Sequence, residues 1–241
     1  MEKVFSRDMI QDNWHCTSSL ITGSLAGVLA QCAALAHLDL RHYDMEAGGA
    51  GRLAGVLAQC PAPAHLNLWG NDIGTDGAES LAGVLGQCAS LTHLNFSGNY
   101  IGAGGAERFA GVLEQCAALA HLNLCDIINI SDAGSESLAG VGGQCPALAH
   151  FNLECNEIGD AGAGSLAEVL SQCAALAHLN LSLNKIGEAG AESIAGVLAQ
   201  CAALAHLNLP SNQMGQAGQR VLQDCSGSAQ PWLTSISATI R

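Results

Sequence analysis

Aromatic residues make up only 4% of the chain, which excludes a core built around large rings. Hydrophobic residues nonetheless reach 49%, so Leu, Ala, Val, Ile and Cys must fill the interior. Basic residues are also scarce: eight Lys and Arg stand against 21 Asp and Glu, for a net charge of −13. Residues 24–225 hold 18 of the acids and five of the bases, so the charge belongs to the body and not to a tail. Such a surface repels a DNA or RNA backbone. It attracts and steers a basic protein, and the same acids keep an apolar array soluble.

No apolar run approaches the roughly 20 residues that span a membrane. The start, Met1-Glu-Lys-Val-Phe-Ser-Arg-Asp, lacks the basic-then-apolar order of an export signal. The expectation is a cytoplasmic protein whose eleven Cys are reduced thiols. Enzyme signatures are missing too: the chain has no P-loop, G-x-S-x-G, H-E-x-x-H or C-x-x-C. Neither an enzyme nor a cofactor is expected.

What is present is repetition. Cys32, Cys60, Cys88, Cys116, Cys145, Cys173 and Cys201 recur every 28 residues, with one step of 29. Cys225 follows after 24 and ends a shortened last unit. The phrase Leu176-Ala-His-Leu-Asn-Leu-Ser-Leu-Asn-Lys-Ile186 is a clean copy of L-x-x-L-x-L-x-x-N-x-I. Leu179 and Leu181 alternate with His178 and Asn180, which predicts a strand. Asn184 falls where the chain leaves that strand, and its amide can serve backbone groups of its own turn and the next. Ile194, Val197, Leu198 and Cys201 then fall on one helix face. Gly190 recurs as Gly49, Gly77, Gly105, Gly134, Gly162 and Gly218, and is expected to let helix and sheet approach closely.

The motif and the long helical half resemble the ribonuclease-inhibitor-like class of leucine-rich repeats, which includes the repeat domains of NOD-like receptors. The resemblance implies an α/β solenoid, a horseshoe with a parallel β-sheet on the concave side and α-helices on the convex side. It covers 24–225: a leading half-repeat helix and seven repeats of about 28 residues. Residues 1–23 form a flank that does not match the repeat. Residues 226–241 form a tail that would be an irregular cap. The alternatives for the ends are membership of a longer array or end-to-end pairing between molecules. Several units depart from the pattern. Tyr43 replaces the turn Asn, Pro63 replaces a Leu, and repeat four carries an extra residue within Cys125-Asp-Ile-Ile-Asn129.

Solvent-facing strand positions form columns on the concave face, the usual binding face of such arrays. The first is His37, His65, His93, His121, His150, His178 and His206; the second is Asp39 followed by six Asn. Tandem duplication accounts for the His column by itself, and a flat ladder offers a metal two ligands and no third. The third and fourth columns vary more. Arg41, His42 and Trp69 would make an aromatic and cationic patch of residue types favoured in hot spots. Cys125, Asp126, Glu154 and Cys155 would cluster midway, where the two thiols are candidates for a soft metal or for oxidation. The Cys column at the helix ends reads as core.

The expected function is a protein-binding scaffold with an acidic concave surface and a basic partner, suited to innate sensing or enzyme inhibition. Two alternatives stay open: a GTPase-activating regulator resembling the Ran activator, and a structural or consensus-designed array. One unit should be the weakest. Gly142 occupies the position of Leu57, Leu85, Leu113, Leu170 and Leu198. Gly142→Leu should stabilise the protein by about 1–3 kcal/mol in chemical denaturation. Amide exchange among internal helices should be fastest across 137–144. Uniform protection with a destabilising Gly142→Leu would mean the backbone has closed over the gap.

Overall fold

The computed structural model describes residues 3–5, 35–59, 63–113, 115–127 and 130–226. Cys32, Cys60 and the tail from 227 onward lie outside the described residues. The strands are β1 (Lys3–Phe5), β2 (Leu35–Asp39), β3 (His65–Asn67), β4 (His93–Asn95), β5 (His121–Asn123), β6 (His150–Asn152), β7 (His178–Asn180) and β8 (His206–Asn208). Helices α1 (Glu46–Leu57), α2 (Gly74–Leu85), α3 (Gly102–Leu113), α4 (Ser131–Gln144), α5 (Asp160–Leu170), α6 (Glu188–Leu198) and α7 (Gly215–Ser226) follow β2 to β8 in turn. The eight strands form one sheet in sequence order. From β2 to β8 each pair is parallel and in register, so His37 pairs with His65 and Leu38 with Leu66. The sheet also begins earlier than position 24, because Lys3–Phe5 pairs with β2.

Strands in a sheet lie ~4.8 Å apart, whereas packed helices need ~8–10 Å. A stack with both at each step must therefore curve, with the sheet inside. The fold is an α/β leucine-rich-repeat solenoid. Its core is a stack of buried leucines: Leu66, Leu94, Leu122, Leu179 and Leu207 point in from the strands, with Phe151 in β6. Leu53, Leu81, Phe109, Leu138, Leu166 and Ile194 meet them from the helices. Pro63 is buried where other repeats have Leu. It lacks the N–H with which Leu91 and Leu119 close their turns onto Cys88 and Cys116.

Buried Asn side chains join one turn to another. Asn99 donates from Nδ2 to the carbonyls of Leu68 at 2.8 Å and Phe96 at 2.8 Å, and accepts from the Asn71 N–H at 3.0 Å. Asn71 serves Leu40, Leu68 and the Tyr43 N–H in the same way. Asn184 bonds Leu153 and accepts from Asn156 and Ile158. Each amide thus reaches back to the preceding repeat and not forward to the next. In repeat four Ile127 takes the Asn position, and its N–H donates to Asn156 Oδ1 at 3.3 Å. The substitution interrupts the amide ladder, and the one-residue insertion falls after it, since Ile127 keeps the spacing from Cys116 that Asn99 keeps from Cys88.

Two further devices tie neighbouring helices. A Cβ on Gly77 would come within 3.0 Å of Ala47 Cα and Ala50 Cβ in α1, and within 2.5 Å of Ile73. The recurring Gly therefore permits close approach of helix to preceding helix, not of helix to sheet. Asp160 Oδ1 accepts from the N–H groups of Gly187 at 2.7 Å and Gly190 at 2.8 Å, capping α6 from the helix before it. Asp132 does the same for α5. The helix around Gly142 is continuous, and the surroundings of that residue lie outside the described side chains.

Asn99 is fully buried and holds five backbone groups. Asn99→Ala should leave several of them unsatisfied and cost on the order of 3 kcal/mol in urea denaturation. A loss below about 0.5 kcal/mol, the usual scale of a surface substitution, would show that the ladder carries little weight.

Candidate functional site: the sheet face and its rim

The in-register sheet sets the seven strand His one on another. Ring centroids lie 3.8–4.4 Å apart and the ring planes are within 25° of parallel along the whole column. With the second column they line an open groove of about 600 Å³ across all seven repeats. The middle of the column, His93 to His178, titrates low. Burial pushes His93 down to about 4, and the neighbouring His121, His65, His37 and His150 add repulsion. His121, His150 and His178 are lowered by the same two causes, burial first. Thr92 donates its hydroxyl proton to the Ala64 carbonyl at 3.0 Å, so at 2.9 Å it accepts from His93 Nδ1. That contact selects the Nδ1–H tautomer of His93 and leaves Nε2 as an acceptor.

The second column is tied down. Asn67, Asn95, Asn123, Asn152 and Asn180 each accept from the N–H two residues on, at 3.0–3.2 Å. Pro210 has no N–H to offer Asn208, whose Nδ2 turns instead to Asn180 Oδ1 at 3.0 Å. In the third column Ser97 and Ser182 are buried, while Trp69 is 41% exposed. Arg41 pairs with Asp39 at 2.8 Å, and His42 lies on Trp69 with ring centroids 4.4 Å apart. His42 and Trp69 are thus brought into contact, while Arg41 is paired with Asp39. A Cβ on Gly70 would come within 2.6 Å of the His42 ring, and one on Gly98 would touch Trp69 at 3.4 Å.

Cys125 and Cys155 come together with Glu154 and Asp126 as expected, at S–O distances of 4.0 and 3.9 Å. The surroundings argue against the chemistry assigned to them. Burial, then Glu154 and Asp126, push the Cys125 thiol up to about 12, and Cys155 is raised by burial and Asp126. A soft metal or an oxidant needs the thiolate, which these carboxylates oppose. Among the described residues no group of three or more His, Cys, Asp or Glu converges on a metal position. The Cys column is core: Cys116, Cys145 and Cys201 are buried and donate S–H to Leu85, Leu113 and Leu170 at the ends of the preceding helices.

The fourth column holds a feature the repeat pattern did not disclose. His42, Gly70, Gly98, Asp126, Cys155, Leu183 and Ser211 all have positive φ, between 52° and 65°. A second row two residues on, Asp44, Asp72, Tyr100 and Glu157, is also left-handed, between 46° and 61°. Between the two rows the buried Asn points inward, so both rows face out along the C-terminal rim of the sheet. Trp69, Tyr100 and Leu183, the exposed large hydrophobics among the described residues, all lie on this rim or beside it. The charge also differs from the expected acidic concave face. On the strands only Asp39 is acidic, Asp126 and Glu154 sit at strand ends, and the other described acids lie on turns and helices.

These features define a leucine-rich-repeat array with an open face and a decorated rim. A family model described as Leucine Rich repeat matches residues 65–82, 87–110, 144–167 and 172–195. No curated protein sequence matches the chain. Of solved structures, 89 chains match. One is Leiomodin-1 Actin-Binding Site 2, at 17% identity and a TM-score of 0.49, covering 62% of this chain and 86% of that one. No helix among the described residues is long and apolar enough to cross a membrane.

The lowered His values fix a pH dependence. The unfolded chain, with His near 6.5, binds more protons than the folded one just below that pH. The stability from the neutral column is therefore present above about 6.5 and is lost as pH falls, for His93 through about 4. In an NMR titration His93 should have the lowest midpoint of the column, and His121→Gln should raise it. A His93 midpoint at or above the ordinary value would contradict the neutral ladder.

Proposed function

We propose that the chain is a non-enzymatic scaffold that docks a protein partner on the sheet face and its C-terminal rim, and that this partner is basic. One observation carries the reading. The large apolar side chains left exposed among the described residues gather on one edge of the sheet, beside Asp44, Asp72, Asp126 and Glu157. Apolar anchors amid acids suit a partner that presents basic residues around an apolar contact. The charge that draws the partner in is the rim's, while the groove offers neutral imidazole and amide edges.

The ribonuclease-inhibitor-like subtype is supported by the 28-residue period and by a full helix of 11 to 14 residues in every described repeat. A cytoplasmic setting is supported by the buried thiols, which donate their protons to carbonyls and so act as reduced groups.

The test uses immobilised protein, capture from a lysate, and identification of what is bound. Joint replacement of His93, His121 and Trp69 by Ala should release the captured protein. Replacing Glu79, Glu136 and Glu192 by Gln on the helices should leave it bound. Association of the captured partner should slow several-fold when ionic strength rises from 0.05 to 0.5 M, on the order expected for steered encounters. An on-rate indifferent to salt, or release by the helix-side set alone, would contradict the reading.

A further inference from the structure

We infer that the rim of the first three described repeats is an arginine-binding platform, the point at which a basic partner segment anchors; this rests on the scaffold reading above. The platform is contiguous. His42 packs on Trp69, Trp69 leans against the bare backbone of Gly98, and Tyr100 stands two residues further along the same turn, 53% exposed. Asp44 and Asp72 occupy equivalent exposed positions in successive repeats, both with left-handed backbone that turns them outward.

The shape of this surface selects its ligand. A part-exposed indole and, on the next repeat's turn, an exposed phenol attract a cation through their ring quadrupoles. Asp44 and Asp72, at the same turn position of successive repeats, add carboxylate acceptors for the donors of such a cation. A guanidinium meets both demands: it stacks flat on an aromatic ring and offers donors in a rigid plane, where an ammonium is a compact point charge. The local cation does not compete, because Arg41 is held by Asp39 at 2.8 Å. The charge argument is also local. Asp44, Glu46 and Asp72 crowd these turns, whereas toward the other end the rim carries Lys185, paired with Glu157 at 3.1 Å, and the apolar Leu183.

The missing side chains at Gly70 and Gly98 are part of the platform. A Cβ on Gly70 would collide with the His42 ring, and that ring supports the inner edge of Trp69. The left-handed backbone at Gly70, with φ of 65°, disfavours any other residue there.

The experiment titrates the whole chain with a short uncharged-flank peptide, acetyl-Gly-Arg-Gly-Arg-Gly-amide. Its counterparts carry Lys, or neutral citrulline, in place of Arg. Affinity is read by calorimetry and position by the indole N–H resonance of Trp69. The Arg peptide should bind several-fold more tightly than the Lys peptide, the citrulline peptide should not bind measurably, and the Trp69 signal should shift. Trp69→Ala and Asp72→Asn should each weaken Arg-peptide binding about tenfold, the scale of one hot-spot contact. Glu192→Gln, on α6, should change it less than about twofold, as expected for a distant exposed charge. Urea midpoints of the variants confirm that each is folded. Equal binding to wild type and Trp69→Ala, or equal binding of Arg and citrulline peptides, would overturn the platform. If the sheet-side triple replacement still releases the captured partner while the peptide ignores Trp69, the platform fails and the scaffold stands. If both fail, the scaffold reading falls with it.

Discussion

In a parallel sheet held in register, every side chain lies against its own copy one repeat away. This self-stacking is the constraint on which the rest of the molecule depends. A residue type can recur down a column only if it tolerates itself as a neighbour at about the strand spacing. Leucine does so by packing. Asparagine does so because its amide is both donor and acceptor, and the buried turn Asn satisfies backbone groups of two repeats at once. Histidine does so best when neutral, and burial and neighbouring imidazoles hold His93 and His121 low. Carboxylates do not, and apart from Asp39 they are kept off the described strands, on turns and helices where side chains reach solvent.

The same rule accounts for where the molecule varies. The inner columns are nearly invariant from unit to unit, and the rim is not. Asp44, Asp72, Tyr100, Glu157 and Lys185 occupy one repeat position with different chemistry. Rim side chains stand in left-handed turns that direct them outward and relieve them of the packing demand. Leu183 pays a backbone cost there and is still 51% exposed, so packing does not account for it. Recognition therefore concentrates at an edge where identity is free to change, on a scaffold whose interior is not.

Much of this was legible in the sequence. The period fixes strand, turn and helix, the His column, and the core role of the terminal Cys, because those follow from position within one unit. What was not legible depends on distances between units. The Asn amide reaches backward, the recurring Gly faces the preceding helix, and Asp132 and Asp160 cap the following one. Ile127 stands in the place of the ladder Asn, with the inserted residue after it, which the motif alone left ambiguous. Trp69 was singled out from composition. Tyr100 was not, because its exposure follows from a turn conformation that no residue type in the motif announces.

The most direct test of self-stacking is the coupling between His93 and His121, whose rings lie 4.0 Å apart at 10°. A double-mutant cycle with Ala, measured by urea denaturation at pH 7 and again at pH 5, isolates that pair. A neutral stack should give a coupling near zero or favourable at pH 7 that becomes unfavourable at pH 5, where each ring keeps the other from binding a proton that the unfolded chain takes up. A coupling of the same sign and size at both values would contradict the account.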